Sequence, residues 1–428
     1  MPAAISPERP KNGIVKFTNC RLVKGNDLME EDLWFSSVSG KILQSQETFY
    51  DYQATPDEIV DLGGRIVSPG FIDVQINGAF GFDFSVVSEG ISMYTKGLHE
   101  VNRGLIRTGV TSYLPTITSQ RPEIYHMALP LLGPPGNKRN VEDGAESLGA
   151  HCEGPFISPT KNGIHTLEVL QHVKRGFTDF EDCYGAKNLQ RSPNNARPNV
   201  RMVTAAPEIG NVLAAIPELV RRDILFSIGH TEATFEEASR AVDAGATMVT
   251  HLFNAMKPLH HRNPGVFGIL GKTPRHKRPY FGVICDGFHL HPTTVKIAWN
   301  AHPEGLILVT DAMKYVGLPD GVYDWTNGER ITKAGGLLTL EGSDRIAGSS
   351  VTLIECISNF LMWTGASIPE AIKAVTSTPA KLLGLVREKG SLRPGADADF
   401  VVIREVVDGD ASTKLLVDEV WKFGVRAC

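Results

Sequence analysis

The stretch ILFSIGHTEATFEEASRAVDAGATMVTH, residues 224–251, places a helical segment between two short apolar runs. Ile224–Ile228 and Thr247–Thr250 have the length and apolar character of buried strands. Between them, Glu232–Gly245 begins with Thr234 and Glu237, which fit a capping box, and ends on a glycine that can terminate a helix. The stretch therefore predicts a strand–helix–strand unit with parallel strands.

The same alternation continues on both sides of this unit. Segments such as Asn211–Arg222, Val351–Thr364 and Pro369–Leu383 are expected to be helices between or after the apolar runs. Eight buried strands favour an α/β fold with a (β/α)8 TIM-like barrel over a doubly wound sheet. The predicted strands are Gly70–Ile76, Val110–Pro115, Leu148–Cys152, Val200–Ala205, Ile224–Ile228, Thr247–Thr250, Phe281–Cys285 and Leu306–Thr310.

Both ends of the chain have short β-favouring runs separated by turns, such as Val15–Asn19 near the start and Asp399–Ile403 near the end. We expect the two ends to fold together as one small β-sandwich domain, from residues 1–67 and 386–428, beside a barrel domain of residues 68–385. Two stretches rich in glycine, proline and charge, Gly133–Ser147 and Lys174–Asn199, are expected to be surface loops without a chemical role.

The composition is typical of a globular protein, with 428 residues, 42% hydrophobic and 21% charged, and a net charge of -5. Nothing in it indicates a nucleic acid or a membrane surface as a partner. The six cysteines form no CxxC pair, and Cys152 and Cys285 lie in apolar runs, which fits buried thiols in a reducing compartment. The sequence has no secretory signal and no apolar run near the ~20 residues of a membrane-spanning helix, so a cytoplasmic location is expected.

Polar side chains follow three of the predicted strands and could bind a metal ion. Glu153 ends the third run, His230 the fifth and His251 the sixth. A parallel barrel gathers the carboxyl ends of its strands at one mouth, where active sites form. A single histidine is more often structural, but two imidazoles and a carboxylate at one mouth predict a metal site with an open position for water. Zinc fits this ligand set best, and iron or another divalent ion is not excluded.

Asp311 ends the eighth run and would lie at the same mouth. A carboxylate beside a metal-activated water can take its proton and pass it to a leaving amine. The alternative role is a helix or turn cap. These four residues together predict a hydrolase that uses a metal to activate water.

A basic cluster follows the sixth and seventh runs. Asn254 is followed by His260, His261 and Arg262, and His289 comes shortly after the seventh run. The planar guanidinium of Arg262 suits phosphate oxygens. The cluster therefore indicates either a phosphorylated substrate or a solvated basic loop.

Several strings resemble the amidohydrolase superfamily. GFIDVQING at 70–78 is similar to its first-strand signature, and GSLRPGADAD at 390–399 to its closing signature. HCEGPF at 151–156, THLFNAM at 250–256 and AGSS at 347–350 resemble one family within it, the N-acetylglucosamine-6-phosphate deacetylases. The resemblance covers residues 14 to 424.

This resemblance implies a metal-dependent enzyme of amino-sugar catabolism that releases acetate from N-acetylglucosamine 6-phosphate. It implies Glu153, His230 and His251 as metal ligands. It also implies Asp311 as general base and then acid, and His165 as a group that polarises the acetamide carbonyl. The expected substrate contacts are Ile164, His165, Asn254, Ala255, Arg262, Asp286, His289, Ile346, Ala347 and Gly348. Family members are typically homodimers in which the neighbouring subunit completes the phosphate pocket.

The first-strand signature departs from the superfamily pattern, because Gln75 and Asn77 stand where most members have two histidines. Amides are poor metal ligands beside imidazole, so one divalent ion per subunit is expected. Two alternatives stay open at this point. One is a non-catalytic relative that binds sugar phosphates or serves as a scaffold, and the other is a hydrolase of cyclic amides, which would be expected to keep the histidine pair.

Overall fold

A computed structural model describes residues 11–51, 53–87, 90–136, 140–191, 197–271, 277–325, 328–407 and 413–428. Eight parallel strands pair in sequence order, and hydrogen bonds from the last strand back to the first close a barrel. The strands are Phe71–Ile76, Val110–Ile117, Ala150–Glu153, Val200–Ala205, Leu225–Ile228, Met248–Val249, Tyr280–Ile284 and Leu306–Val309. The closing contacts include Asp311 N donating to Gln75 O at 2.8 Å. The prediction of a barrel is therefore confirmed.

Helices surround the barrel strands. The longer ones are Ile91–Ile106, Pro122–Leu132, Phe177–Tyr184, Val212–Arg221, Phe235–Asp243, Pro292–Ala301 and Leu353–Thr364. The predicted capping box is present, since Thr234 Oγ1 accepts from Glu237 N at 3.2 Å and Glu237 Oε2 accepts from Thr234 N at 2.8 Å. This box fixes the start of the helix that separates the two histidine-bearing strand ends.

The predicted helix Pro369–Leu383 is wrong as a single element. It is divided into Ile368–Lys373 and Ser377–Leu382. Pro379 has no N–H to donate to the carbonyl of Val375, and that carbonyl instead accepts from Ile72 N at 2.8 Å. The break therefore ties this region to the first barrel strand.

Two sheets from the chain ends form the small domain. Phe17 and Phe35 of one sheet pack on Phe400 and Trp421 of the other, with ring centroids 5.0–6.0 Å apart. The first sheet contains Ile14–Thr18, Leu33–Ser36, Lys41–Ile42 and Glu58–Asp61, and the second contains Arg21–Lys24, Asp27–Glu30, Ile66–Pro69, Phe400–Val407, Thr413–Lys422 and Val425–Arg426. The two chain ends thus share one core, as predicted, while the boundaries near residues 67 and 385 stay predictions.

The two expected surface loops are more ordered than the sequence suggested. Within Lys174–Asn199, helix Phe177–Tyr184 packs Phe180 against Phe156, with ring centroids 4.4 Å apart. Within Gly133–Ser147, the strand Glu146–Ser147 pairs with the second barrel strand. Residues 137–139 and 192–196 of these stretches lie outside the described residues. The buried Phe180 in one stretch and the ion pairs of Glu146 with Lys389 and Lys422 in the other make them part of the scaffold.

A four-stranded antiparallel sheet follows the eighth barrel strand and was not predicted. Its strands are Gly321–Asp324, Arg330–Ala334, Leu337–Leu340 and Ile346–Ser349. The last strand ends beside the barrel mouth, where Ser349 pairs with Ala312. Among the described residues, no helix has both the length and the apolar character needed to cross a bilayer.

Candidate active site

The polar residues predicted at the strand ends meet at the carboxyl mouth of the barrel. Glu153 is the last residue of its strand, and His230, His251 and Asp311 each lie two residues beyond theirs. The backbone φ angles of these three are +48°, +28° and +47°. Such left-handed conformations are uncommon outside glycine and cluster at functional sites.

Three ligand atoms form a compact triangle at the mouth. Glu153 Oε1 lies 3.3 Å from His230 Nε2 and 3.0 Å from His251 Nε2, and the two nitrogens are 3.0 Å apart. Ligand atoms about 2.1 Å from a tetrahedral zinc ion would be about 3.4 Å apart. All three residues are buried. Glu153, His230 and His251 could therefore hold a single divalent ion, and all three line the cavity.

Hydrogen bonding sets the tautomer of one of the imidazoles. His230 Nδ1 lies 2.7 Å from the carbonyl of Lys161, so Nδ1 carries the proton and Nε2 keeps its lone pair. His251 Nδ1 is buried and has no hydrogen-bond partner among the described residues. The second ligand is thus held by packing and by its contact with Glu153.

The electrostatics of the triangle favour positive charge. Burial tends to lower the pKa of His251, but the hydrogen bond and charge of Glu153 raise it to about 9. Burial tends to raise the pKa of Glu153, but its close contacts with the imidazoles of His230 and His251 hold that pKa well below its usual range. This electrostatic preference for positive charge is what a cation site requires.

Gln75 and Asn77 bind carboxylates. Gln75 Nε2 donates to Glu153 Oε1 at 3.0 Å and to Asp311 Oδ1 at 3.1 Å. Asn77 Nδ2 donates to Asp311 Oδ1 at 2.7 Å. One amide nitrogen therefore links the proposed ligand to the proposed proton carrier, and both amides fix the orientation of Asp311.

Asp311 is buried in a setting that favours proton transfer. Burial and the negative charge of Glu153 raise the pKa of Asp311 to about 6. Asp73 lies below it and accepts from Thr310 Oγ1 at 2.6 Å, which secures the backbone that leads to Asp311. A carboxyl group with a pKa near neutrality can both accept and donate a proton.

His165 presents a neutral imidazole. Ser119 N donates to His165 Nδ1 at 3.1 Å, so the ring proton is on Nε2. Burial lowers the pKa of His165 to about 3, which keeps the ring neutral. The ring is therefore a hydrogen-bond donor suited to a carbonyl oxygen.

A cavity of about 280 Å³ joins these groups. Most of the residues predicted to contact the substrate line it, namely Ile164, His165, Asn254, Ala255, His289, Ile346 and Gly348. The metal-ligand triangle and Asp311 form part of the same lining. The volume is near the lower end of the ~300–1,000 Å³ that small-molecule sites occupy.

Three predicted contacts lie elsewhere. Ala347 lines an adjoining cavity of about 230 Å³. Asp286 Oδ2 lies 2.6 Å from His289 Nδ1 and orients that ring from behind. Arg262 lies in a loop whose residues, 257–263, are all exposed. Its side chain does not line the cavity of its own chain.

Sequence reasoning missed several lining residues and a supporting network. Arg345, Met313, Thr118 and Gly163 line the cavity. For Arg345, the available signal was its position directly before the Ile346–Gly348 contacts. Below the mouth, the buried residues Thr116, His151, Thr204, Ser227 and Thr250 form a chain of hydrogen bonds. That chain supports the strands carrying the ligands, and no local sequence pattern indicates it.

Comparisons with known proteins agree with this geometry. Residues 66–420 match the amidohydrolase family. The chain is 41% identical over 413 residues to N-acetylglucosamine-6-phosphate deacetylase of Homo sapiens, covering 96% of each chain. It is 40% identical over 417 residues to the relative of the same name from Danio rerio, covering 96% of this chain and 97% of that one. A structure of N-acetyl-D-glucosamine-6-phosphate deacetylase from Mycobacterium smegmatis, in complex with N-acetyl-D-glucosamine-6-phosphate, is similar with a TM-score of 0.76, 27% identity and coverage of 98% and 100%.

Proposed function

The chain belongs to the amidohydrolase family, and from that premise we propose that it hydrolyses the acetamide of N-acetylglucosamine 6-phosphate to glucosamine 6-phosphate and acetate. The observation that carries this proposal is the convergence of Glu153, His230, His251 and Asp311 on one buried cavity. A scaffold protein would have no need of this costly arrangement of charges and strained backbone. A cyclic-amide hydrolase would be expected to have histidines at positions 75 and 77.

The proposed cofactor is one divalent ion, most simply zinc, held by Glu153, His230 and His251. Two imidazoles and one carboxylate are a common catalytic ligand set for zinc. When bound, such an ion supplies a Lewis acid that polarises a carbonyl and lowers the pKa of water. The side-chain nitrogens of Gln75 and Asn77 donate to carboxylates. Their amide oxygens are poorer ligands than imidazole, which supports a single ion rather than two.

Asp311 is the proposed proton carrier. Its pKa of about 6 allows it to take a proton from the attacking water and return it to the amine nitrogen as the carbon–nitrogen bond breaks. His165 would donate its Nε2 proton in a hydrogen bond to the acetamide oxygen and so stabilise the charge that develops there. Neither residue needs to move far, since both line the same cavity.

His289 and Asn254 are the proposed contacts to the phosphorylated sugar within one chain. The Nδ1 proton of His289 faces Asp286, which leaves Nε2 for the substrate. The backbone near Ala255, with φ of +50°, and the Ile346–Gly348 strand line other parts of the cavity. Polar groups fixed in this way suit a substrate with several oxygen atoms.

Arg262 is proposed to act on the cavity of a second subunit in a homodimer. Its loop, residues 257–263, is exposed and contains both Leu259 and Arg262. An arginine predicted to bind phosphate but lying outside its own cavity suits a contact across a two-fold interface, where each subunit gives and receives the same group.

Mixing two inactive variants tests this arrangement. Asp311→Asn and Arg262→Ala subunits are each expected to be nearly inactive at low substrate. Hybrid dimers formed from equal amounts would contain intact sites, restoring about a quarter of the wild-type sites. Recovered acetate release supports action in trans. No recovery in verified hybrids would assign Arg262 to its own chain or to no role.

A substrate comparison tests the proposed activity itself. Acetate release should be fast with N-acetylglucosamine 6-phosphate and much slower with N-acetylglucosamine, because the sugar without phosphate loses its anionic contacts. Hydrolysis of a cyclic amide but not of the amino-sugar phosphate would favour the alternative. Binding of the phosphorylated sugar without any turnover would favour a non-catalytic protein.

The proposed location is the cytoplasm. Cys20, Cys152, Cys183, Cys285 and Cys356 are buried free thiols, and Cys428 is exposed and unpaired. Free thiols without disulfides suit a reducing compartment.

A further inference from the structure

A second cavity, of about 610 Å³, lies between the small domain and the barrel. The small domain contributes the turn Val23–Asn26 and the segment Gly390–Pro394. The barrel side contributes Lys373, Ser377 and Lys381, which belong to the two helical segments that follow Leu353–Thr364. We name it the basic interdomain cavity, and none of its lining residues takes part in the proposed deacetylase site.

The lining of this cavity is strongly cationic. Lys24, Lys373, Lys381 and Arg393 line it, and no carboxylate of the described part of the chain does. Lys24 and Lys373 pair with Glu31 and Glu304, which lie outside the lining. Lys381 and Arg393 form no ion pair among the described residues, and both are exposed. Arg393 Nη2 donates to the carbonyl of Val386, so Lys381 and the other N–H groups of Arg393 are available to an anionic ligand.

Neutral donors accompany these charges. Ser391 Oγ is buried and has no hydrogen-bond partner among the described residues, and Ser377 lies on the opposite wall. A buried hydroxyl without a partner loses free energy that a bound oxygen acceptor would restore. Val23, Pro69 and Leu392 add apolar surface. The combination suits a small ligand that has a phosphate group and an uncharged body.

The cavity is remote from the catalytic mouth. Pro69 lies just before the first barrel strand, Phe71–Ile76, whose far end carries Gln75. A strand rises about 3.3 Å per residue, so the two sites are separated by roughly 20 Å. A ligand here would contact both domains without touching the acetamide.

We propose that the basic interdomain cavity is a second anion site that binds the phosphate group of a small metabolite, with Lys381 and Arg393 as its principal cations. Binding of such a ligand joins residues of both domains and raises the thermal stability of the whole chain, because only the folded state contains the cavity.

Titration of the full-length protein with inorganic pyrophosphate at constant ionic strength tests the proposal. Lys381→Gln should weaken the affinity of the second site about tenfold, as expected for the loss of one charge-assisted hydrogen bond. Lys381→Arg should retain it. Lys187→Gln is the matched control, because Lys187 is exposed and does not line the cavity. Any binding at the catalytic mouth is common to all variants.

The outcomes separate the proposal from nonspecific charge effects. Selective weakening in Lys381→Gln, with Lys381→Arg and Lys187→Gln like wild type, supports the site. Equal affinity in Lys381→Gln and wild type overturns it, as does an equal loss in Lys187→Gln. Absence of pyrophosphate binding by the wild-type protein at millimolar concentration also overturns it. Deacetylase activity of Lys381→Gln, measured without pyrophosphate, should be unchanged, which keeps this test independent of the proposed function.

Discussion

Asp311 is the residue on which the proposed chemistry depends most. Asp311→Asn retains an oxygen that can accept from Gln75 and Asn77, so the geometry should persist while the proton carrier is lost. We expect kcat to fall by about a thousandfold or more. Acetate release and metal content should be measured together, with Asp182→Asn as a control at an exposed position. Near-normal turnover with a full complement of metal would refute the role.

The protonation of His251 predicts how ion binding depends on pH. With its pKa raised to about 9 in the ion-free protein, His251 carries a proton at neutral pH that an ion must displace. The apparent affinity for zinc should therefore rise with pH, about tenfold per unit, and level off near pH 9. Competition with a coloured chelator measures this, and an affinity independent of pH between 6 and 8 would contradict it.

The sequence predicted which polar residues would meet at the barrel mouth, but not their contacts. Glu153, His230 and His251 could be predicted because each follows a recognisable apolar run. The link from Gln75 to both carboxylates could not, because it joins side chains from three different strands. Arg262 shows the reverse case, because the local motif predicted a substrate contact and the side chain does not line the cavity of its own chain.

Two amide residues at the end of the first barrel strand, Gln75 and Asn77, are the basis for expecting a single ion. Gln75 and Asn77 offer only amide oxygens, which are poorer ligands for a transition-metal ion than imidazole, and their nitrogens already donate to Asp311. Elemental analysis of the purified protein should find about one ion per subunit. Two tightly held ions would contradict the single-ion account.

The antiparallel sheet that follows the eighth strand shapes the cavity through Gly348. A Cβ at this position, where φ is +130°, would lie 2.3 Å from Met313 Sδ. Gly348→Ala should displace the Ile346–Gly348 strand, raise KM for the phosphorylated sugar at least about tenfold and leave the barrel folded. Gly342→Ala is the matched control, since its φ is also positive and no atom lies within 4 Å of its Cβ. Equal KM values for the two variants would show that this strand has no role in substrate binding.

Secondary structure was predicted correctly where the apolar pattern was strong. It was missed where packing against distant residues determines whether a strand or helix forms. The eight apolar runs correspond to barrel strands within a few residues. The sheet of residues 321–349 was missed, because its strands are short and some of their buried positions hold polar residues such as Lys333 and Ser349 rather than apolar ones. Helix Phe177–Tyr184 was missed because its helical character depends on packing Phe180 and Tyr184 onto the loop after Glu153.

The two domains are joined by a buried charge cluster. Lys422 Nζ, whose side chain is fully buried, lies 2.5 Å from Glu146 Oε1 and 2.8 Å from Asp399 Oδ2. Lys422→Met would leave buried carboxylates with too little positive charge, at a cost of about 3–5 kcal/mol of unfolding free energy. Lys414→Met, on the exposed part of the same strand, should change stability by less than about 0.5 kcal/mol. Equal melting temperatures for the two variants would contradict the role of the cluster.

The same cluster predicts acid sensitivity. Burial tends to raise the pKa values of Glu146 and Asp399, but Lys389 and Lys422 lower both. Carboxyls whose folded pKa is depressed stabilise the protein above their unfolded pKa, about 4, and lose that contribution as the pH falls through the folded value. The stability difference between wild type and Lys422→Met should therefore shrink below about pH 4 in denaturant titrations. A difference that grows on acidification would exclude this assignment.

The division into a barrel and a small domain was predictable from the sequence. The contacts that join the two domains were not. Similar β character at both chain ends was enough to predict a shared small domain, and the packing of Phe17 on Phe400 bears this out. The pairing of Glu146 with Lys389 and Lys422 joins positions more than 240 residues apart in the chain, and no local pattern encodes it. The basic interdomain cavity is also formed by residues of both domains that are far apart in the chain.

The most direct test of the account is acetate release from N-acetylglucosamine 6-phosphate by protein stripped with a chelator and then given defined amounts of zinc. Activity should be lost on stripping and return in proportion to zinc up to one equivalent per subunit, and Glu153→Gln should fail to recover under the same conditions. Full activity in the stripped protein, or full recovery in Glu153→Gln, would contradict the claim that this triangle of ligands drives the reaction.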